Sequence, residues 1–419
     1  MVDRAKIQDR LKYYVKVRVN KTSFIMIFVS ILGYLVWLYA FPMFGPIIAG
    51  FLVGLKALDI EKGRVLQIFL FSMMVSSFVG GFLVDKLRRR VILIWIPTVA
   101  ASLLTFSFIW LTKIVVVFPF SLLLGFVAGI IPAAWGAYFA DNTLPEDRGR
   151  IMGISAGLSM PIAYLFLISE PFEIGGSANS ELIIIGALYL VTLLTLILRP
   201  QEKAQEIFES RGKRGAGAKQ LVLYASPIFL FYLVAGILLS IVFPTIQDHV
   251  RNEVFYLIWS VPFLFGSIIA GILLDMVGRK LPTIVGLAIT GVSVAILGII
   301  GIRMSHVCIV LLAVGFSFVT ITSFIIWADL APTKGRGIYY GVGFGLMASA
   351  TMLGLMSVGN RFGSVPAQAI NSYMLFSSVA LFLCIPPLIV AEDALPKEVI
   401  EKRQMQEHLQ RARERMRKK

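Results

Sequence analysis

Gly81-Phe-Leu-Val-Asp85-Lys-Leu-Arg88-Arg89-Arg90 recurs 190 residues later as Gly271-Ile-Leu-Leu-Asp275-Met-Val-Gly278-Arg279-Lys280. Both stretches read G-x-x-x-D-x-x-x-R-[RK]. Each follows one long apolar run and precedes another. A basic turn between two apolar spans, met twice at this separation, implies that the chain is two copies of one membrane unit.

Composition agrees. Of 419 residues 58% are hydrophobic and only 15% charged, and the mean hydropathy is +0.83. A soluble domain does not carry that much apolar surface. Val91–Leu111, Ile114–Ala140, Leu221–Phe243 and Val307–Ala328 each exceed the ~18–20 residues a helix needs to cross a bilayer. Hydrocarbon offers no partner to a bare peptide group, so such runs must be helical. Cys308 and Cys384 both fall in apolar runs and read as packing residues, while His249, His306 and His408 form no metal-ligand spacing. No cofactor is expected.

Twelve spans follow: 22–50, 64–84, 91–111, 114–140, 150–169, 182–198, 221–244, 254–274, 282–302, 307–328, 337–359 and 370–390. An even number leaves both termini on one side. The N-terminal tail, the even-numbered loops and the C-terminal tail hold 32 of the 39 Lys and Arg; the other loops hold Lys56, Lys62, Arg64, Lys113, Arg251, Arg303 and Arg361. The positive-inside rule then makes the first set cytoplasmic. It also accounts for the +15 net charge without nucleic acid, because the basic residues follow topology and form no single patch. The N-terminus is polar and basic, and the first apolar run is longer than a signal h-region, so it reads as an uncleaved first span. Residues 1–21 are expected to be a basic tail, 22–198 the first six-helix half, 199–220 a polar linker, 221–390 the second half and 391–419 a second basic tail. Apolar residues at helical spacing in both tails suit either an amphipathic helix on anionic lipid or a solvated tail.

The halves match again one hairpin later. Asp141 through Arg148-Gly149 to Gly153 aligns without a gap on Asp329 through Arg336-Gly337 to Gly341, at an offset of 188 residues. Two motifs at nearly one offset mean duplication. On these residues the chain resembles the major facilitator superfamily over essentially its whole length. The resemblance implies an all-α polytopic fold, with two six-helix halves related by a pseudo-twofold axis. It implies a cavity lined by spans 1, 4, 7 and 10, and alternating access by rocking of the halves. The family usually has glycine before the basic pair. Gly278 fits, whereas Arg88 stands there in the first copy.

A carboxylate at the end of a span can face the partial positive charge at another helix's N-terminus. In the resembled fold Asp85 would meet the helix beginning near Gly337, and Asp275 the helix beginning near Gly149. Arg148 and Arg336 would pair with these same carboxylates. The expected latch residues are therefore Gly81, Asp85, Arg89, Arg90, Asp141, Arg148 and Gly149, with Gly271, Asp275, Arg279, Lys280, Asp329, Arg336 and Gly337. The bland alternative is that these residues only set topology and cap helices.

No Asp, Glu, Lys, Arg or His falls in the middle third of any expected span. Midplane charges mark ion and proton paths, so their absence argues against proton symport and against a strongly charged solute. Ser30, Tyr34, Trp37 and Phe41 share one face of span 1, and Phe316, Thr320, Ser323 and Trp327 repeat that spacing on span 10. Trp135 and Tyr138 on span 4 and Tyr232 and Ser240 on span 7 complete the expected cavity. Aromatic walls with a few hydroxyls suit a neutral or amphiphilic organic solute; the same residues also serve as helix packing. Glu170 and Asp248 are the carboxylates nearest a pathway, as coupling groups or as solvated helix ends.

Three functions compete. The first is a secondary transporter of a small organic solute, acting as a monomer in the plasma membrane, with proton symport or drug/metabolite antiport as variants. The span-5 glycines, Gly149, Gly153 and Gly157, lack the Gly-Gly that would complete an antiporter signature. The second is a transporter-fold sensor or scaffold. The third, an enzyme, lacks a nucleophile–base pair, a metal cluster or a phosphate loop.

Overall fold

The computed structural model describes residues 21–41, 46–168, 178–198, 217–242, 252–300, 305–332, 334–358 and 367–395. Among these residues every regular element is helical. The first half contains α1 (Lys21–Ala40), α2 (Pro46–Gly54), α3 (Asp59–Leu87), α4 (Arg90–Ser107), α5 (Ile114–Asn142), α6 (Arg148–Ile168) and α7 (Ala178–Val191). The second contains α8 (Ala218–Ile237), α9 (Asn252–Met276), α10 (Lys280–Ile300), α11 (Ser305–Leu330), α12 (Arg336–Ser357), α13 (Ala367–Leu383) and α14 (Ile385–Val390). Ten helical stretches are long and apolar enough to cross a membrane. The 21-residue α6 and α7 with its tighter continuation Thr192–Leu198 complete the expected twelve. The fold is all-α and polytopic.

Two spans depart from the sequence expectation. The first ends at Ala40, and Pro46–Gly54 forms a separate short helix, because Pro42, Gly45 and Pro46 interrupt the run. The last is divided at Cys384, with Pro386 and Pro387 in the first turn of α14. Phe71, Phe82, Leu103, Phe265 and Phe376 are all more than half exposed, as a hydrocarbon-facing surface requires.

The halves meet along two crossings, α3 against α12 and α6 against α9. A Cβ on Gly149 would lie 2.3 Å from the Gly271 carbonyl oxygen, and one on Gly81 2.6 Å from that of Gly337. Backbone touches backbone at both, which any side chain would prevent.

The two motif turns each hold a residue at positive φ. Gly278 has φ +116° and Arg88 has φ 52°, so arginine occupies the left-handed region that glycine takes in the other copy. The Arg88 N–H still closes the end of α3 on Val84 O at 3.2 Å. Holding a residue with a Cβ there costs about 1 kcal/mol. Arg88→Gly should therefore raise unfolding stability by roughly 0.5–1 kcal/mol. Thermal unfolding in detergent checks this, and a lowered melting temperature would contradict it.

Candidate functional site

The four turns α3–α4, α5–α6, α9–α10 and α11–α12 gather at one end of the bundle, the basic end. Asp85, in the last turn of α3, accepts the Gly337 N–H at 2.9 Å and the Ile338 N–H at 2.8 Å. Asp275 on α9 accepts the Gly149 N–H at 2.7 Å and the Arg150 N–H at 2.9 Å. In both copies the donors are the second and third residues of the receiving helix, α12 or α6. These N–H groups have no partner within their own helix. A carboxylate there gains ~0.3–1 kcal/mol from the helix dipole, and up to ~2 kcal/mol where partly buried. Each such contact joins one half to the other.

The arginines after the second motif take different partners from those expected. Arg148 Nη1 bonds Asp329 at 2.6 Å, neither Asp85 nor Asp275. Arg336 Nη1 pairs with Asp141, not with Asp85. Asp85 and Asp275 are occupied by helix N-termini, and the arginine that opens each of those helices projects one turn further across. The exchange is reciprocal: each half's arginine crosses to the other half's aspartate.

Each of these aspartates also holds an arginine from its own half. Arg279 Nε donates to Asp329 at 2.7 Å, and its Nη1 to Asp275 at 2.9 Å and Leu274 O at 2.6 Å. Arg90 pairs with Asp141 and donates to Ala137 O at 2.8 Å. The motif aligned Arg89 with Arg279, but it is Arg90 that does the work of Arg279. Arg89 is exposed. The Lys280 Nζ bonds Ile389 O at 2.5 Å and Ala391 O at 3.0 Å, within its own half.

The two clusters differ in depth. Around Asp275 and Asp329 the side chains of Arg148, Arg279 and both carboxylates are 0–4% exposed. Arg150 extends that cluster by bonding Asp275 at 3.2 Å and pairing with Asp147. Around Asp141 the arginines are 15% and 16% exposed. Burial alone would lower the pKa of Arg279, but Asp329 and Asp275 outweigh it and hold the guanidinium above its ordinary value. A raised cation keeps its contribution at every pH below that value and loses it only above, so Arg279 stays charged through the physiological range.

Beneath the charges lies an aromatic layer. Trp135 of α5 packs edge-on against Phe324 of α11 at 6.2 Å and against Tyr340 and Phe344 of α12 at 6.1 and 5.6 Å between ring centroids. The Tyr340 ring lies over Gly136, where a Cβ would come within 2.2 Å of it. Such edge-to-face pairs contribute about 0.5–1.5 kcal/mol each beyond burial.

A family profile described as Major Facilitator Superfamily matches residues 23–355. The chain belongs to the major facilitator superfamily. No curated protein sequence matches it. Solved structures of the superfamily do. The human organic anion transporter MFSD10 (TETRAN) superposes with TM-score 0.66 at 14% identity, covering 88% of this chain and 99% of its own. The proton:xylose symporter XylE bound to 6-bromo-6-deoxy-D-glucose gives 0.67 at 13%, covering 87% and 94%. At these identities the likeness is one of fold.

Within this superfamily fold the expected cavity residues separate. Trp37 bonds Thr105 Oγ1 at 3.0 Å and stacks on Tyr189 at 5.1 Å. Phe41 packs edge-on to Phe108, and Tyr34 donates to Ala128 O at 3.0 Å. These three, all fully buried, tie α1 to α4, α5 and α7 inside the first half. Trp327 is likewise buried, pressed onto Gly343 of α12. Ser30 and Tyr138 are buried, and Ser240 is bonded to its own helix at Gly236 O. The half-exposed groups are Tyr232, whose hydroxyl faces Ser323 and Thr320, and Phe316, 4.7 Å from Phe231 and 5.6 Å from Trp259. Tyr164 of α6 stacks on Tyr256 of α9 at 4.6 Å across the halves, near Tyr39. Tyr39, Tyr164, Tyr256, Tyr340 and Phe344 escaped the sequence reading, because partners on different helices leave no spacing signal. Glu170 and Asp248 lie outside the described residues.

Proposed function

We propose that the protein moves a small, neutral or amphiphilic organic solute across the plasma membrane by alternating access, and that the basic end is the cytoplasmic end. The observation that carries this is the reciprocal exchange at that end: two aspartates on the opposite half's helix N-termini, two arginines on the opposite half's aspartates. Contacts that join the halves at one end only exist in one state of a rocking pair, so they bias its equilibrium. This conformation is accordingly closed toward the cytoplasm. The buried charged residues Asp147, Arg148, Asp275 and Arg279 all belong to that closure. The solute would then meet Tyr232 and Phe316, the partly exposed members of this group, with the Tyr232 hydroxyl as the polar contact on an aromatic surface. The protein would work as a monomer, since each half completes the other's gate.

The test is flux in proteoliposomes over a panel of solutes first ranked by thermal shift, since a bound solute stabilises the folded state by mass action. Substrate-dependent flux is expected, reduced about tenfold or more in Asp275→Asn. Binding without flux would favour a sensor. Accumulation driven by a pH gradient would overturn the uncoupled reading.

A further inference from the structure

We infer that the segment after α14, Ala391–Leu395, is a strap that sets the α9–α10 turn and thereby loads Arg279 onto Asp329. The inference rests on the gating role proposed above and names a regulator of it.

Asp393 carries the strap's main contact. Its carboxylate accepts the Arg279 N–H at 3.0 Å and the Lys280 N–H at 3.3 Å, and the Leu395 N–H at 2.9 Å. The first two are unsatisfied donors at the start of α10, supplied with an acceptor by a segment more than a hundred residues away. The carboxylate occupies space that only glycine leaves: a Cβ on Gly278 would lie 2.2 Å from Asp393 Oδ2. Lys280 closes the clamp in the other direction through Ile389 O and Ala391 O.

The other edge of the strap is tied to α8. Tyr224 donates its hydroxyl to Glu392 O at 2.9 Å and accepts the Ala394 N–H at 3.2 Å. The Glu392 N–H donates to Gln220 Oε1 at 3.2 Å. Ala391 and Leu395 are buried, so the strap is seated rather than laid on the surface. It therefore touches both the start of α8 and the turn that presents Arg279. Arg279 sits one residue after Gly278. Its guanidinium reaches Asp275, Asp329 and, at 2.5 Å, Pro145 O of the opposite half. A turn released by the strap cannot hold all three.

The experiment compares full-length Asp393→Ala, Asp393→Asn and Tyr224→Phe with Asp329→Ala, reading the closed fraction at the basic end from spin-label distances between the halves. Asp393→Ala should lower the closed-to-open ratio about tenfold, the size expected for losing charge-assisted hydrogen bonds. Tyr224→Phe should lower it severalfold. If the Asp393 and Tyr224 variants keep the wild-type ratio while Asp329→Ala shifts it, the strap is wrong and the gate stands. If Asp329→Ala also shifts nothing, the gating role itself fails. Should Asp393→Ala not fold, Asp393→Asn and Tyr224→Phe decide by the same criterion.

Discussion

Asp329→Ala will open the basic end far more than Asp141→Ala, although the two positions are equivalent by duplication. Asp329 receives Arg148 from the other half and Arg279 from its own, with both guanidiniums nearly or fully buried. Removing the carboxylate leaves Arg148 out of water with no anion and Arg279 with Asp275 alone, and breaking a buried pair in this way costs ~3–5 kcal/mol in the closed state. Opening hydrates them again, so the penalty falls on one side of the equilibrium. A closed-to-open ratio lower by at least about a hundredfold follows. Asp141 holds Arg90 and Arg336, which already reach water. Its loss should cost less, because water already reaches and partly screens both guanidiniums. Single-molecule energy transfer between dyes on the two halves would check this, and equal effects would mean that burial does not set the strength of the two clusters.

Gly149→Val acts by shape instead of charge. The Gly149 Cα faces the Gly271 backbone and the Asp275 carboxylate, and a Cβ would lie 2.3 Å from Gly271 O and 2.6 Å from Asp275 Oδ1. No rotamer relieves a clash with backbone, so α6 and α9 must separate. Overpacking of this kind costs ~1–3 kcal/mol or more, and here it also pulls the Gly149 N–H from Asp275. The variant is expected to fold, because each half keeps its own core, but to leave the basic end open and to lose at least about tenfold in flux. Wild-type flux would show that the α6–α9 crossing need not close.

Much of this was legible in the sequence. The repeated turn, the apolar runs and the split of basic residues fixed twelve spans in two halves. The carboxylates of Asp85 and Asp275 were matched to the right helix starts, because a duplicated motif carries both sides of the contact. The partners of Arg148 and Arg336 were not, since linear alignment does not say that equivalent arginines trade places between halves. Nor does it reveal that Arg90, opening α4, reaches the position that Arg279 reaches from the turn before α10. On α1 the period correctly put Tyr34, Trp37 and Phe41 on one face. It could not say that this face meets α4, α5 and α7, where Thr105 and Tyr189 wait for the indole.

The central claim is that the halves are joined at the basic end by contacts made in one state only. Spin labels at the exposed positions Leu87 and Val277, one on each half, measure it directly when Cys308 and Cys384 are replaced by serine. The wild-type chain should give mainly one short distance, and Asp85→Asn, Asp275→Asn and Asp329→Ala should each add a longer population, largest for Asp329→Ala. A single unchanged distribution in the wild type and all three variants would contradict it.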